Sequence, residues 1–245
     1  MSGRRAAARG GKARAGRDYL LLAAVFVLIP LTLILGSQLL GGRRWYFLSM
    51  LVIFWAILPF FVDWERRRPG AREITLLAAL IGLTVAARVA FYLLPHMKPV
   101  LAMIIVFSAA LGARFGFLLG ALVALISNFL FGQGPWTLWQ MFAWGLIGCI
   151  SGLLMRRFPR LNQRLPLAIF GFLAVIIIHG GITNPAGLML YQPEFTWQGL
   201  LAAYALGLPL DIIHALATAA FLFLFAPPLN RKLSRLKNKY GLLPD

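Results

Sequence analysis

The sequence predicts an all-α integral membrane protein with eight membrane segments. Three observations carry that prediction. Hydrophobic residues make up 60% of the 245 positions and charged residues only 13%, where a soluble domain carries about 25% charge. Mean hydropathy is +0.81, and the apolar residues fall in runs of the length that crosses a bilayer. The net charge of +17 sits in tails and short connections between those runs. That distribution points to the positive-inside rule and argues against a nucleic-acid partner.

In chain order, residues 1–18 form a basic, Gly/Ala-rich tail suited to lying against anionic lipid. The first two apolar runs cover about 19–40 and 45–62 and are followed by the charged break DWERRRPGARE. The first run is read as a helix rather than a signal peptide, because Gly36-Ser37-Gln38 is a poor cleavage site. Six more runs follow at about 73–94, 99–112, 114–131, 138–155, 165–187 and 198–226, and a second basic tail covers 227–245. The run at 99–112 is short for a straight crossing, so it is expected to tilt or to join its successor through an uneven turn at Gly112. With the N-terminus inside, twenty of the 24 Lys and Arg fall on the inner side. Arg43, Arg44 and Lys98 fall outside, and Arg88 lies within a segment. Both termini are therefore expected to be cytoplasmic. The connections PHMKP (95–99), GQGPWT (132–137) and NPAGLMLYQPEFTWQ (184–198) are then outer loops.

The chemistry of familiar enzymes is missing. There is no G-x-x-x-x-G-K-[ST] phosphate loop, no H-E-x-x-H and no G-x-S-x-G. His96, His179 and His214 lie in different segments, which gives no support to a metal site, and no cofactor is expected. The lone Cys149 excludes an intramolecular disulfide and a cysteine metal cluster. Arg88 and Asp211 are costly inside a membrane, about 2.5–3.5 kcal/mol for a central Arg or Asp on insertion scales. They are expected to face the bundle interior, and a pair between them is the natural guess. Asn128, His179 and Asn184 occupy outer halves of their segments, as interhelical hydrogen bonds or as ligand contacts. In the segment 73–94, Ala78, Gly82, Ala86 and Ala90 recur every four positions. That strip suits close approach of another helix, within the chain or from a partner.

One stretch does not fit a plain membrane turn. FGQGPWTLWQMFAWG (131–145) combines a Gly-Pro turn with two glutamines and three tryptophans. AARVAFYLLPHMKPV together with GARFGFLLGALVALISNFLFGQGPWTLWQMFAWGLIGCISGLL resembles the substrate-binding S components of energy-coupling factor (ECF) transporters. The Ser127-Asn128…Gly132-Gln133-Gly134-Pro135-Trp136 run is the most specific part. The resemblance covers about 73–226 and implies a six-helix substrate-binding core preceded by two additional transmembrane helices in 19–72, which the common S component lacks. Leu138 also stands where close relatives are expected to carry Pro.

The resemblance implies a binding subunit, not an enzyme. Such a subunit captures a vitamin or related micronutrient at the outer face and docks on a membrane T component driven by two cytoplasmic ATPase subunits. Within the family the chain looks most like a cobalamin-type subgroup, with riboflavin or another vitamin as the alternative. A membrane enzyme and a ligand-free scaffold are the rival classes. The expected substrate contacts are Arg88, Lys98, Asn128, Gln133, Trp136, Trp139, Gln140, His179 and Asn184, with the tryptophans and glutamines as a rim around the mouth. The strip Ala78, Gly82, Ala86 and Ala90 stands where family members contact the T component. A large, partly apolar corrinoid predicts that Trp136→Ala weakens binding more than Lys98→Ala.

Overall fold

The computed structural model describes residues 44–66, 68–192 and 196–240, and every regular element among them is helical. The first expected membrane run, 19–40, lies outside the described residues. The helices are α1 (Arg44–Arg66), α2 (Ala71–Ala90), α3 (Val100–Leu111), α4 (Ala113–Phe131), α5 (Trp136–Arg157), α6 (Arg164–Leu173), α7 (Gly181–Tyr191) and α8 (Trp197–Tyr240). A π-helical turn, Ala174–Gly180, joins α6 to α7 in one continuous rod. Six spans are long and apolar enough to cross a membrane: α1, α2, α4, α5, the α6–α7 rod and α8. The chain is thus a multi-pass membrane protein.

Helix α3 is the exception in length, at 12 residues, or about 18 Å. It tolerates this because it is the bundle's central element: Leu101, Ile104, Ile105, Val106 and Phe107 are all buried. Gly112, at φ 94°, turns the chain straight into α4, so the uneven turn expected there is present. The closest pairing in the bundle is α4 with α5. A side chain at Gly120 would strike the backbone carbonyl of Trp144, and one at Gly148 the carbonyl of Gly116. Small residues let these two backbones touch, which drives helix association where lipid offers no hydrophobic contrast.

Helix α1 packs on α4, α5 and α7. Phe60 stacks on Phe117 with ring centroids 3.6 Å apart, Trp64 meets Phe115 edge-on, and the Arg114 guanidinium lies 3.5 Å from the Asp63 carboxylate. The far side of α2 has no such cover among the described residues. Ala78, Gly82, Ala86 and Ala90 are all exposed, and a side chain added at Gly82 would meet nothing.

Two expectations change. The outer connection was expected to begin at Asn184, but the helix continues to Tyr191 with Pro185 inside it. Proline has no N–H for the Gly181 carbonyl one turn back; the Tyr204 hydroxyl donates to that carbonyl instead, at 3.1 Å. Likewise α8 runs unbroken through Pro209, Pro227 and Pro228 to Tyr240.

Candidate functional site

The site is built where the last turns of α2 and α4 meet the first turns of α5. Arg88 is buried, 8% exposed. Its guanidinium donates to Asn128 Oδ1 at 3.0 Å and to the Ser127 hydroxyl. It also lies over the rings of Phe131 and Trp144, 4.2 and 5.0 Å from their centroids. Hydrogen bonds to a charged group stabilise by about 1.5–3 kcal/mol and a desolvated cation–π contact by about 2 kcal/mol. Together they offset the insertion cost of a membrane arginine without any carboxylate.

The expected Arg88–Asp211 pair is therefore absent. Asp211 accepts instead from Asn184 Nδ2 at 2.8 Å. The reason is packing: the end of α2 lies on α4, whereas this part of α8 lies on α7. A side chain at Gly180 would strike the Asp211 carboxylate, and one at Gly207 the Asn184 amide. The two helices are close enough for this polar clamp only because both positions are glycine.

Asn128 relays the position of Arg88 to the next loop. Its Oδ1 accepts from Arg88, and its Nδ2 donates to Gln140 Oε1 at 2.7 Å and to Thr137 Oγ1 at 3.1 Å. Thr137 donates to Gln133 Oε1 at 2.8 Å, and Gln133 Nε2 donates to the Leu125 carbonyl at 2.9 Å. Gly132, at φ 102°, ends α4. The Gly-Gln-Gly-Pro-Trp-Thr stretch is thus a cross-braced turn that fixes where α5 begins. Gln140 and Trp144, one helical turn apart, then line the same cavity.

That cavity measures about 430 Å³ and is walled by Arg88, Tyr92, His96, Lys98, Phe131, Gln140, Trp144, His179 and His214, with Pro95 and Val100. A second hollow of about 240 Å³ adjoins it through Gln140 and His179 and is lined by Trp136, Trp139, Thr183 and Tyr191. Of the residues expected at the site, Arg88, Lys98, Gln140 and His179 line the first and Trp136 and Trp139 the second. Asn128 stands behind Arg88, exposed Gln133 braces the turn, and Asn184 is engaged in the clamp with Asp211.

Sequence reasoning missed Trp144, His96, His214, Phe131 and Tyr92 as cavity walls. Helical spacing carried a signal for two of them: Trp144 follows Gln140 by four and Phe131 follows Asn128 by three. His179 is on the π-helical turn, a feature frequent at functional sites. Its ring meets His214 edge-on at 5.2 Å. His96 has φ 58°, a left-handed conformation that histidine adopts more readily than most residues.

The electrostatics are one-sided. Burial and then the Arg88 charge lower the pKa of the Lys98 ammonium. Burial and then Lys98 likewise lower that of His96, with Asp211 opposing. Lys98 Nζ stands 5.6 Å from the Phe131 centroid, over the same ring as Arg88. Among the described residues no group of three His, Cys, Asp or Glu is placed to hold a metal ion.

A family model described as "ECF-type riboflavin transporter, S component" matches residues 71–230, from the start of α2 well into α8. Comparison with curated proteins gives no match, and comparison with solved structures gives none.

Proposed function

The chain belongs to this family of ECF-type transporter S components, and from that premise we propose that it captures a flavin-class vitamin in the cavity beside Arg88. The family is one of transporter subunits rather than enzymes. The observation that carries the reading is the cavity itself. It is concave, about 430 Å³, walled by aromatic rings and furnished with a few polar groups, as small-molecule sites are.

A flavin replaces the corrinoid expected from the sequence. The matching family is described by riboflavin, and a corrinoid with its macrocycle and axial groups is several-fold larger than a tricyclic flavin. The rings of Tyr92 and Phe131 in the cavity wall suit a flat heteroaromatic ring, and Gln140 suits its carbonyl edge. Titration of the purified protein with riboflavin, followed by flavin fluorescence, tests this. A dissociation constant below micromolar is expected; no quenching up to about 100 µM would refute it.

The cavity opens at the end carrying the 91–99 and 132–135 loops, which the charge bias assigns to the outer face with both termini cytoplasmic. Uptake then requires a membrane T component and two separate ATPase subunits, since no phosphate loop is present in this chain. The Ala78, Gly82, Ala86 and Ala90 strip is the surface proposed for the T component. Its exposure on α2 supports that reading, as does the packing of α1 on α4, α5 and α7, which leaves the strip uncovered among the described residues.

A further inference from the structure

The cavity is unbalanced in charge and in hydrogen-bonding type. Arg88 and Lys98 both line it, and among the described residues no carboxylate does. Among the described residues neither cation has an acidic partner within ion-pair distance. The acid nearest in role, Asp211, is bonded to Asn184. Two like charges facing one hollow repel each other, and an apolar wall strengthens that repulsion.

The neutral amide in the wall leans the same way. Gln140 Oε1 is taken by Asn128, so its Nε2 donor is the unused half of the amide. A ligand that brings acceptors into the hollow engages this amide together with the two cations.

We infer that the cargo is an anionic flavin, a flavin phosphate, whose charged group lies between Arg88 and Lys98. The inference rests on the flavin reading above and specifies it: the site selects for negative charge, which neutral riboflavin lacks. Charge-assisted bonds of this kind are about twice as strong as neutral ones.

The test uses the purified full-length protein and two fluorescent probes, riboflavin and riboflavin 5′-phosphate (FMN), titrated at low and high salt. FMN is expected to bind at least about tenfold more tightly, the advantage one charged hydrogen bond supplies, and the advantage shrinks as salt rises. Lys98→Gln should bring the ratio of the two affinities close to one. Arg160→Gln, an exposed cation outside the cavity, should leave the ratio at its original value and so controls for overall charge. Riboflavin bound as tightly as FMN, or a ratio unmoved by Lys98→Gln, would overturn this inference and leave the flavin site standing. If neither flavin binds, the flavin reading falls and this inference with it.

Discussion

The two ends of the α4–α5 pair are built from opposite kinds of residue. From the end near Gly112 inward, Gly152 meets the Ala113 backbone, Gly148 that of Gly116 and Gly120 that of Trp144, so closely that added side chains would collide with backbone. At the other end, Ser127 and Asn128 face Thr137 and Gln140 across a hydrogen-bonded network, with Phe131 and Trp144 beyond it. Helices held at backbone contact at one end and separated by polar side chains at the other leave room at the second end only. The cavity lies there. Packing fixes the frame, and polarity shapes the site.

The sharpest way to break this comparison is to fill the tight end. Gly148→Leu should destabilise the protein by about 3 kcal/mol or more. Thermal unfolding in detergent is expected to show loss of folded protein, and flavin binding disappears with it. A folded Gly148→Leu protein would show that the seam is looser than its geometry. At the open end the outcome should divide differently. Arg88→Met removes the buried cation and leaves Asn128 Oδ1 without its donor, costing about 1–3 kcal/mol of stability. The protein should still fold, while flavin affinity measured by fluorescence falls by about a hundredfold, the equivalent of two lost charged contacts.

Within the site, depth should rank the effects. Lys98 lines the main cavity, whereas Trp136 is 43% exposed in the outer hollow. Lys98→Ala should therefore weaken FMN binding about tenfold and Trp136→Ala only a few-fold, which inverts the order expected for a corrinoid. Equal or reversed losses in parallel titrations would return weight to the aromatic rim. The clamp away from the cavity should matter less still. Asp211→Leu removes one interhelical hydrogen bond, a loss of about 0.6–1.7 kcal/mol in membrane proteins. It should lower the unfolding temperature and change flavin affinity less than about twofold.

The smallest effect on the isolated subunit is expected at the uncovered strip. Gly82→Leu meets nothing among the described residues, so both unfolding temperature and flavin affinity should stay unchanged. Co-purification with the T component should be lost, because a branched side chain keeps two backbones apart. Loss of flavin binding by this variant would place the strip inside the subunit's own fold.

Much of this was legible in the sequence. Hydropathy alone located each described span, because a chain in lipid must satisfy its backbone within helices and so writes its spans as apolar runs. The Gly-Gln-Gly-Pro-Trp turn drew attention for its polarity and brought Gln140 with it, Arg88 and His179 stood out as polar in apolar surroundings, and Lys98 lay in an outer loop. The same rule misled where polarity serves the frame. Asn184 and Gln133 look like ligand contacts in sequence, but one closes a clamp with Asp211 and the other braces a loop. Trp144 was not among the expected contacts, since nothing local distinguishes an indole facing lipid from one facing a cavity.

By itself the sequence determined what a one-dimensional pattern can encode: the membrane class, the spans, the bias of basic residues, and the polar Gly-Gln-Gly-Pro-Trp turn. Tertiary structure alone decided the partners. Whether Arg88 meets Asp211 or Asn128 depends on which helices touch, and that is set by glycine positions on α4, α5, the π-helical turn and α8 rather than by the charges themselves. Opposite charges attract at many arrangements, but backbone contact permits only a few. The pairing therefore follows the packing, and the cavity is the space that packing leaves.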